Sequence, residues 1–115
     1  MQPTDIRLFI PSKDFAFSQT FYQALGFSKD PVNDQLCIFS HGECTFFLQN
    51  FYNQALAENL MMQLIVKDIN AALKQIESMG ELVDKYEPIQ QETWGKVIYL
   101  SGPAGELWHI TQLTG

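Results

Sequence analysis

The sequence has few cysteines and few basic residues. Its two cysteines, Cys37 and Cys44, lie in apolar segments, with no further Cys or His at ligand spacing. They predict buried thiols in a reducing cytoplasm, and they argue against both a disulfide framework and a zinc site. Seven Lys and Arg stand against thirteen Asp and Glu, and the resulting net charge of −6 argues against a nucleic-acid partner.

Long apolar runs are also missing. No stretch approaches the roughly 20 residues that a membrane-spanning helix needs. The opening residues, MQPTDIRLFIPSKD, have neither the basic leader nor the apolar segment of a signal peptide. We therefore expect a cytoplasmic protein with no membrane partner.

The usual catalytic patterns are absent as well. No Ser or Cys nucleophile has a positioned His base, no two carboxylates share a strand face, and no glycine-rich phosphate loop occurs. The turn at residues 102–105 is rich in glycine, but it leads into a strand and so lacks the helix N-terminal amides that hold phosphate. These absences favour a protein without catalytic residues or a cofactor.

What the sequence does contain is one pattern that occurs twice. Asp14 to Gly26 and Asp68 to Gly80 have equal length, and each carries apolar or small residues at helical spacing. Asp is a good N-cap and Gly suits the left-handed position after a helix, so both segments are predicted as amphipathic helices. An apolar strand candidate precedes each helix, at residues 6–12 and 61–67.

Further strand candidates follow each helix, so each half of the chain has the order strand, helix, strands. In the first half they cover residues 35–40 and 44–50, and in the second half 82–86, 96–101 and 107–113. The turns align with Gly42 over Gly105, and residues 50–59 form a polar linker with aromatic residues. A ferredoxin-like domain would leave strands unassigned, and a parallel doubly wound fold would need a helix within residues 27–60.

The two capped segments, with FYQALGF closing the first, and the ending WGKVIYLSGPAGELWHIT resemble the vicinal oxygen chelate superfamily. That superfamily includes glyoxalase I, extradiol dioxygenases, and the fosfomycin and bleomycin resistance proteins. The resemblance implies an α+β fold of two βαβββ modules in a single domain, 1–115, whose curved mixed sheets surround an open cleft. Module 1 would cover about residues 1–52 and module 2 about residues 60–115.

Metal-dependent members of this superfamily take ligands from four equivalent strand positions. The resemblance places these at Arg7, Phe46, Met61 and His109. Only His109 can ligate a zinc, nickel or iron ion, because such a site needs three oxygen or nitrogen donors. We therefore predict no metal and a closest similarity to the metal-free bleomycin resistance proteins. The role of His41, in the first turn, stays open.

Strand alternation then gives a set of candidate ligand-binding residues around the cleft. They are Arg7, Phe9, Phe46, Leu48, Met61, Gln63, Trp94 and His109. Trp94 is a candidate for stacking on a planar or cationic ligand, or a rim residue of its own domain. His109 is a ligand contact, or it satisfies a local hydrogen bond. Arg7 forms an ion pair, for instance with Asp5, or anchors an anionic group.

The favoured function is a metal-free protein that sequesters a cationic or aromatic small molecule without chemistry. The resemblance to small members of the family implies a homodimer with shared clefts, in which Phe51 and Tyr52 contact the partner subunit. Alternatively, these two residues cover the edge of their own sheet. An enzyme of the glyoxalase or lyase type is the second hypothesis. A non-catalytic regulatory or scaffold homodimer is the third.

Overall fold

The computed structural model describes residues 1–115 and contains two four-stranded mixed sheets and three α-helices. Module 1 contains β1 (Phe9–Pro11), α1 (Phe15–Leu25), β2 (Ser28–Asn33), β3 (Leu36–His41) and β4 (Cys44–Gln49), and α2 (Gln54–Asn59) follows it. Module 2 contains β5 (Met61–Ile65), α3 (Ile69–Ser78), β6 (Gln90–Glu92), β7 (Gly95–Ser101) and β8 (Leu107–Leu113). No helix is long and apolar enough to cross a membrane.

Both modules have the same topology. Sheet 1 has the order β1-β4-β3-β2 and sheet 2 has the order β5-β8-β7-β6. In each sheet the first strand runs parallel to the last, and the other pairs are antiparallel. The predicted α+β fold of two βαβββ modules is therefore confirmed.

The predicted helix ends are confirmed as well. The side chain of Asp14 accepts a hydrogen bond from the Phe17 amide, and α1 ends at Gly26 with a left-handed φ of 116°. The side chain of Asp68 accepts from the amides of Asn70 and Ala71 at the start of α3. Each aspartate thus satisfies amide groups that have no partner within the first turn of the helix.

Four elements differ from the sequence prediction, and one of them is β6, which was not predicted as a strand. The strand β2 was not predicted, because all its residues are exposed and lack an apolar alternation. The segment 82–86 is not a strand, since a 3-10 turn occupies Gly80–Leu82 and only one isolated bridge forms, at Tyr86. The linker contains the helix α2, which Asn53 caps and which buries Ala57.

The core lies between the helices and one face of each sheet. A single cluster of buried residues joins both modules, and it includes Tyr22, Phe27, Phe46 and Trp108. Cys37 belongs to this core, but Cys44 is exposed, so the prediction of two buried thiols was wrong for Cys44. The reason is that Cys44 begins β4 at the tip of a hairpin, outside the buried core cluster.

A chain of buried hydrogen bonds connects the two modules through the closing turn. Tyr22 of α1 donates to Glu106 Oε2 at 2.7 Å, and Trp108 Nε1 donates to the Tyr22 hydroxyl at 3.0 Å. Glu106 Oε1 accepts from the Ala104 amide at 2.8 Å. Burial raises the pKa of the Glu106 carboxyl, since a charge is costly away from water. Gly102 is required beside it because a Cβ there would overlap this carboxyl.

Candidate ligand-binding site

The face of each sheet that points away from the helices is called its open face here. On sheet 2, strand register sets Gln63 of β5, His109 of β8 and Tyr99 of β7 side by side. Neighbouring residues on each strand, Trp108 and Ile110 for β8, point into the core. The alternation of strand side chains therefore produces a row of three polar side chains on this open face.

The Tyr99 phenol lies between an imidazole and a carboxylate. Its ring meets the His109 ring edge to face, with 4.9 Å between centroids, and its hydroxyl donates to Glu92 Oε2 at 3.2 Å. Desolvation, reinforced by the Glu92 charge, raises the pKa of Tyr99. Tyr99 therefore stays protonated and donates to Glu92.

His109 is the one member of this row with an unpaired buried atom. Its Nε2 is buried and has no hydrogen-bond partner in the protein. Gln63 makes its own contact instead, with Nε2 at 3.4 Å from Thr111 Oγ1. A buried polar group without a partner costs about 1–3 kcal/mol, so a ligand that hydrogen-bonds to this nitrogen would recover free energy.

The open face of sheet 1 is built from aromatic rings and one ion pair. Phe9 of β1 lies against Phe47 of β4, with ring centroids 4.6 Å apart. The Arg7 guanidinium lies 5.8 Å from the Phe47 ring centre and pairs with Asp5 at 3.1 Å. The Arg7 hydrogen bond lowers the pKa of the Asp5 carboxyl. Of the two roles considered for Arg7, the ion pair with Asp5 is thus present.

Two of the candidate ligand-binding residues lie in the core instead of on an open face. Phe46 is 5% exposed and packs 4.9 Å from Tyr22 and 5.6 Å from Trp108, between ring centroids. Leu48 is fully buried. The predicted placement of Phe46 and Leu48 on the cleft wall was therefore wrong. Their neighbour Phe47 occupies the open face.

The error has a simple cause in the two turns. Phe9 lies opposite Phe47 and Gln63 lies opposite His109, so Phe47 is the counterpart of His109. Aligning the turn glycines had selected Phe46. The first turn contains only residues 42 and 43, whereas the second contains residues 102–106. A shift of one residue in a strand moves the side chain to the opposite face.

The remaining candidates are exposed but spread over the surface. Met61 begins β5 and is 64% exposed, and Trp94 is exposed in the turn before β7. Trp94 precedes Tyr99 by five positions along extended chain, which is about 16 Å, so Trp94 lies far from the His109 row. Phe51 and Tyr52 are exposed before α2, and Lys13 Nζ lies 5.7 Å from the Tyr52 ring centre.

The side chains at the four metal positions do not fit a divalent metal. With the corrected register, these positions carry Arg7, Phe47, Met61 and His109. Arg cannot lose its proton, Phe has no donor atom, and the Met thioether is too soft for such a centre. His41 lies beside Phe27, with 6.3 Å between ring centroids, and no three His, Cys, Asp or Glu are grouped for a metal.

Sequence reasoning missed three residues of these faces: Phe47, Tyr99 and Glu92. The position of Tyr99 could have been predicted, because side chains alternate along the strand KVIYLS and Tyr99 lies on the same face as Val97. The position of Glu92 could not, because its strand β6 has only three residues and no apolar alternation.

No family model and no curated protein sequence matches this chain. Several solved structures, however, share its fold over nearly the whole length. A bleomycin resistance determinant encoded on the transposon Tn5 has a TM-score of 0.82 and 20% identity, with 98% of this chain and 100% of that chain covered. A bleomycin-binding protein complexed with bleomycin has a TM-score of 0.80 and 21% identity, with 97% and 100% covered.

A third similar structure is an antibiotic binding protein, TnmS3, from Streptomyces sp. CB03234. Its TM-score is 0.82 at 18% identity, and 99% of each chain is covered. These similarities in architecture agree with the resemblance drawn from the two capped helices and the closing turn. At these identities the similarities establish the fold and do not identify a ligand.

Proposed function

Because this chain has the fold of the bleomycin resistance proteins, we propose that it binds a small cationic or aromatic compound and sequesters it without chemical conversion. The observation that carries the proposal is the row of Gln63, His109 and Tyr99 on the open face of sheet 2. The unpaired Nε2 of His109 supplies a hydrogen-bonding position that no protein group fills. Structures of the same fold are named as binding bleomycin or an antibiotic, which supports a ligand of this size.

The charges of this face favour a cation. Glu92 accepts the Tyr99 hydroxyl through Oε2, and no protein donor reaches its other carboxylate oxygen. A protonated amine of a ligand can bind that oxygen, while an aromatic ring of the ligand packs on Tyr99 and His109. The net charge of −6 adds a weak general attraction for cations.

We further propose that the protein acts as a homodimer in the cytoplasm. The outer strands β1 and β5 each pair on one side only, and the apolar side chains Phe9, Met61 and Ile65 are about half exposed or more on the open faces. A second subunit would cover this surface and place an aromatic sheet 1 opposite a polar sheet 2. Phe51 and Tyr52 remain the predicted contacts, and sedimentation equilibrium with a Phe51→Ser variant tests the association.

Isothermal titration calorimetry with bleomycin, with a planar aromatic cation and with a neutral compound of the same ring size tests ligand binding. We expect Glu92→Gln to weaken cation binding about fivefold and leave the neutral compound unchanged. The matched control is Glu77→Gln, an exposed carboxylate on α3. Equal effects of both variants would contradict the role of Glu92.

Three outcomes would overturn the proposal itself. Failure of every compound to bind or to raise the melting temperature would favour a scaffold. Conversion of a bound compound, detected by mass spectrometry, would favour an enzyme. Stoichiometric nickel, zinc, iron or manganese in the purified protein would contradict a metal-free site.

A further inference from the structure

A cavity at the junction of the two modules is lined mainly by helix-facing side chains, and Ile65 at its edge also belongs to the open face of sheet 2. Its module 1 wall is the end of α1, with Phe27, and the tip of the β3–β4 hairpin. Its module 2 wall is α3 together with the outer part of β5. Gln75 of α3 donates to the Ala24 carbonyl at 3.2 Å and so ties the two walls together. The cavity therefore belongs to the fold of a single chain.

The junction cavity has a volume of about 510 Å³, which lies within the range of ordinary small-molecule sites. Most of its wall is apolar, and the helix-facing side chains of β5 and β8 contribute to it. Its apolar lining includes Phe27, Leu64, Ala72, Ile76 and Ile110. A molecule that enters would remove this apolar surface from water, which is favourable by about 25 cal/mol for each Å² buried.

The charged groups around this cavity are unusual for so acidic a chain. Thirteen Asp and Glu are present in the sequence, but the lining contains none of them and includes Lys67 and His41. Arg7–Asp5 is the only ion pair of the structure, so Lys67 has no carboxylate partner. Of the nearby acids, Glu43 lines the adjacent groove, and Asp68 accepts from two α3 amides.

We propose that the junction cavity is a second ligand site, and that it binds an organic anion with an apolar, ring-sized body. The apolar walls hold the body, and the unpaired ammonium of Lys67 at the edge binds the anionic group. This site is distinct from the cation-binding face of sheet 2, and the sign of the charge it selects is opposite. Neither site depends on the other.

Two fluorescent probes of similar shape test the charge selection. Anilinonaphthalene sulfonate carries an anionic group, and phenylnaphthylamine is its neutral analogue. We expect Lys67→Gln to weaken binding of the sulfonate about fivefold and to leave the neutral probe unchanged. The control Lys74→Gln removes the same charge from an exposed α3 position outside the cavity, and equal losses in both variants would overturn the proposal.

The location of the probe is tested separately. Ala72→Leu fills the cavity and should weaken both probes tenfold or more, whereas Ala71→Leu makes the same change on the exposed side of α3. Cys44 is exposed and lines the cavity, and Cys37 is buried, so bound probe should slow alkylation of Cys44 by iodoacetamide. Unchanged alkylation, or loss of probe binding in His109→Phe, would overturn the assignment to this cavity.

Discussion

The two modules share one topology but present opposite chemistry on their open faces. The row across β1, β4 and β3 of module 1 is Phe9, Phe47 and Ile38, and the equivalent row of module 2 is Gln63, His109 and Tyr99. Every position is apolar in the first row and hydrogen-bonding in the second. The duplicated fold therefore provides two similar scaffolds, and the side chains make one open face apolar and the other polar.

The helices differ in a comparable way. Tyr22 of α1 and Ile76 of α3 occupy equivalent positions, 54 residues apart, and both are buried. Ile76 only packs, whereas the hydroxyl of Tyr22 reaches Glu106 and Trp108 of the other module. The buried side-chain hydrogen bonds between the modules thus all involve one polar atom of module 1, the Tyr22 hydroxyl.

Removing that atom should have the largest effect. Tyr22→Phe leaves the Trp108 indole N–H and one oxygen of the Glu106 carboxyl buried without a partner, and we expect a loss of about 3 kcal/mol in the free energy of unfolding. Urea denaturation measures it. The control is Tyr86→Phe, since the Tyr86 hydroxyl makes no hydrogen bond within the protein and its side chain is 38% exposed. A loss below about 1 kcal/mol would contradict a stabilising role for the Tyr22 hydroxyl.

The pH dependence of stability should reveal the buried carboxyl of the same link. The pKa of Glu106 is raised by desolvation above its ordinary 4.5, so the folded protein retains this proton longer than the unfolded chain. The contribution of Glu106 to stability is therefore greatest below pH 4.5 and falls as the pH rises through the raised value. Each unit of elevation corresponds to about 1.4 kcal/mol.

Urea denaturation across this pH range should show that decline in the parent protein and a flatter profile in Glu106→Gln. Because the amide does not titrate, the difference between the two profiles isolates Glu106. Parallel profiles would mean that the carboxyl is ionised equally in both states. The comparison is made between slopes, since the substitution also changes the hydrogen bonds to Tyr22 and Ala104.

Making the two rows alike should have the smallest effect on stability and a selective effect on binding. His109→Phe gives module 2 the aromatic residue that module 1 has at Phe47. It removes the unpaired Nε2, so we expect the free energy of unfolding to rise by about 1 kcal/mol. Binding of the open-face ligand should fall about tenfold, because the hydrogen-bonding position is lost. Calorimetry and urea denaturation measure the two quantities, and unchanged affinity would exclude His109 from the site.

Local sequence signals were sufficient for α1 and α3, although not for α2, and for the outward placement of some strand residues. Asp14, Gly26 and Asp68 act within one or two turns of chain, so their role as helix ends is visible without knowledge of distant contacts. The outward positions of Phe9 and Gln63 follow from simple alternation. The ion pair of Arg7 joins residues two apart and was predictable for the same reason.

Features that depend on the register between strands could not be predicted from the sequence. The faces of Phe46 and Phe47 are set by pairing with β1 and β3, and two turns of unequal length hid that pairing from a sequence alignment. Glu92 reaches Tyr99 only because β6 pairs with β7. The residues of β6 are all polar, so their sequence does not indicate a strand.

The sequence by itself determined the helix caps and the order strand, helix, strands in each half, because these depend on residue type and short-range spacing. The βαβββ plan and the four metal positions came from the family resemblance. Only the tertiary structure decided that Phe47 faces outward, that Tyr22 bonds to Glu106 84 residues away, and that Lys67 edges an apolar cavity between modules. The physical reason is that such contacts depend on how separate elements register and pack, and a one-residue shift reverses every side chain of a strand.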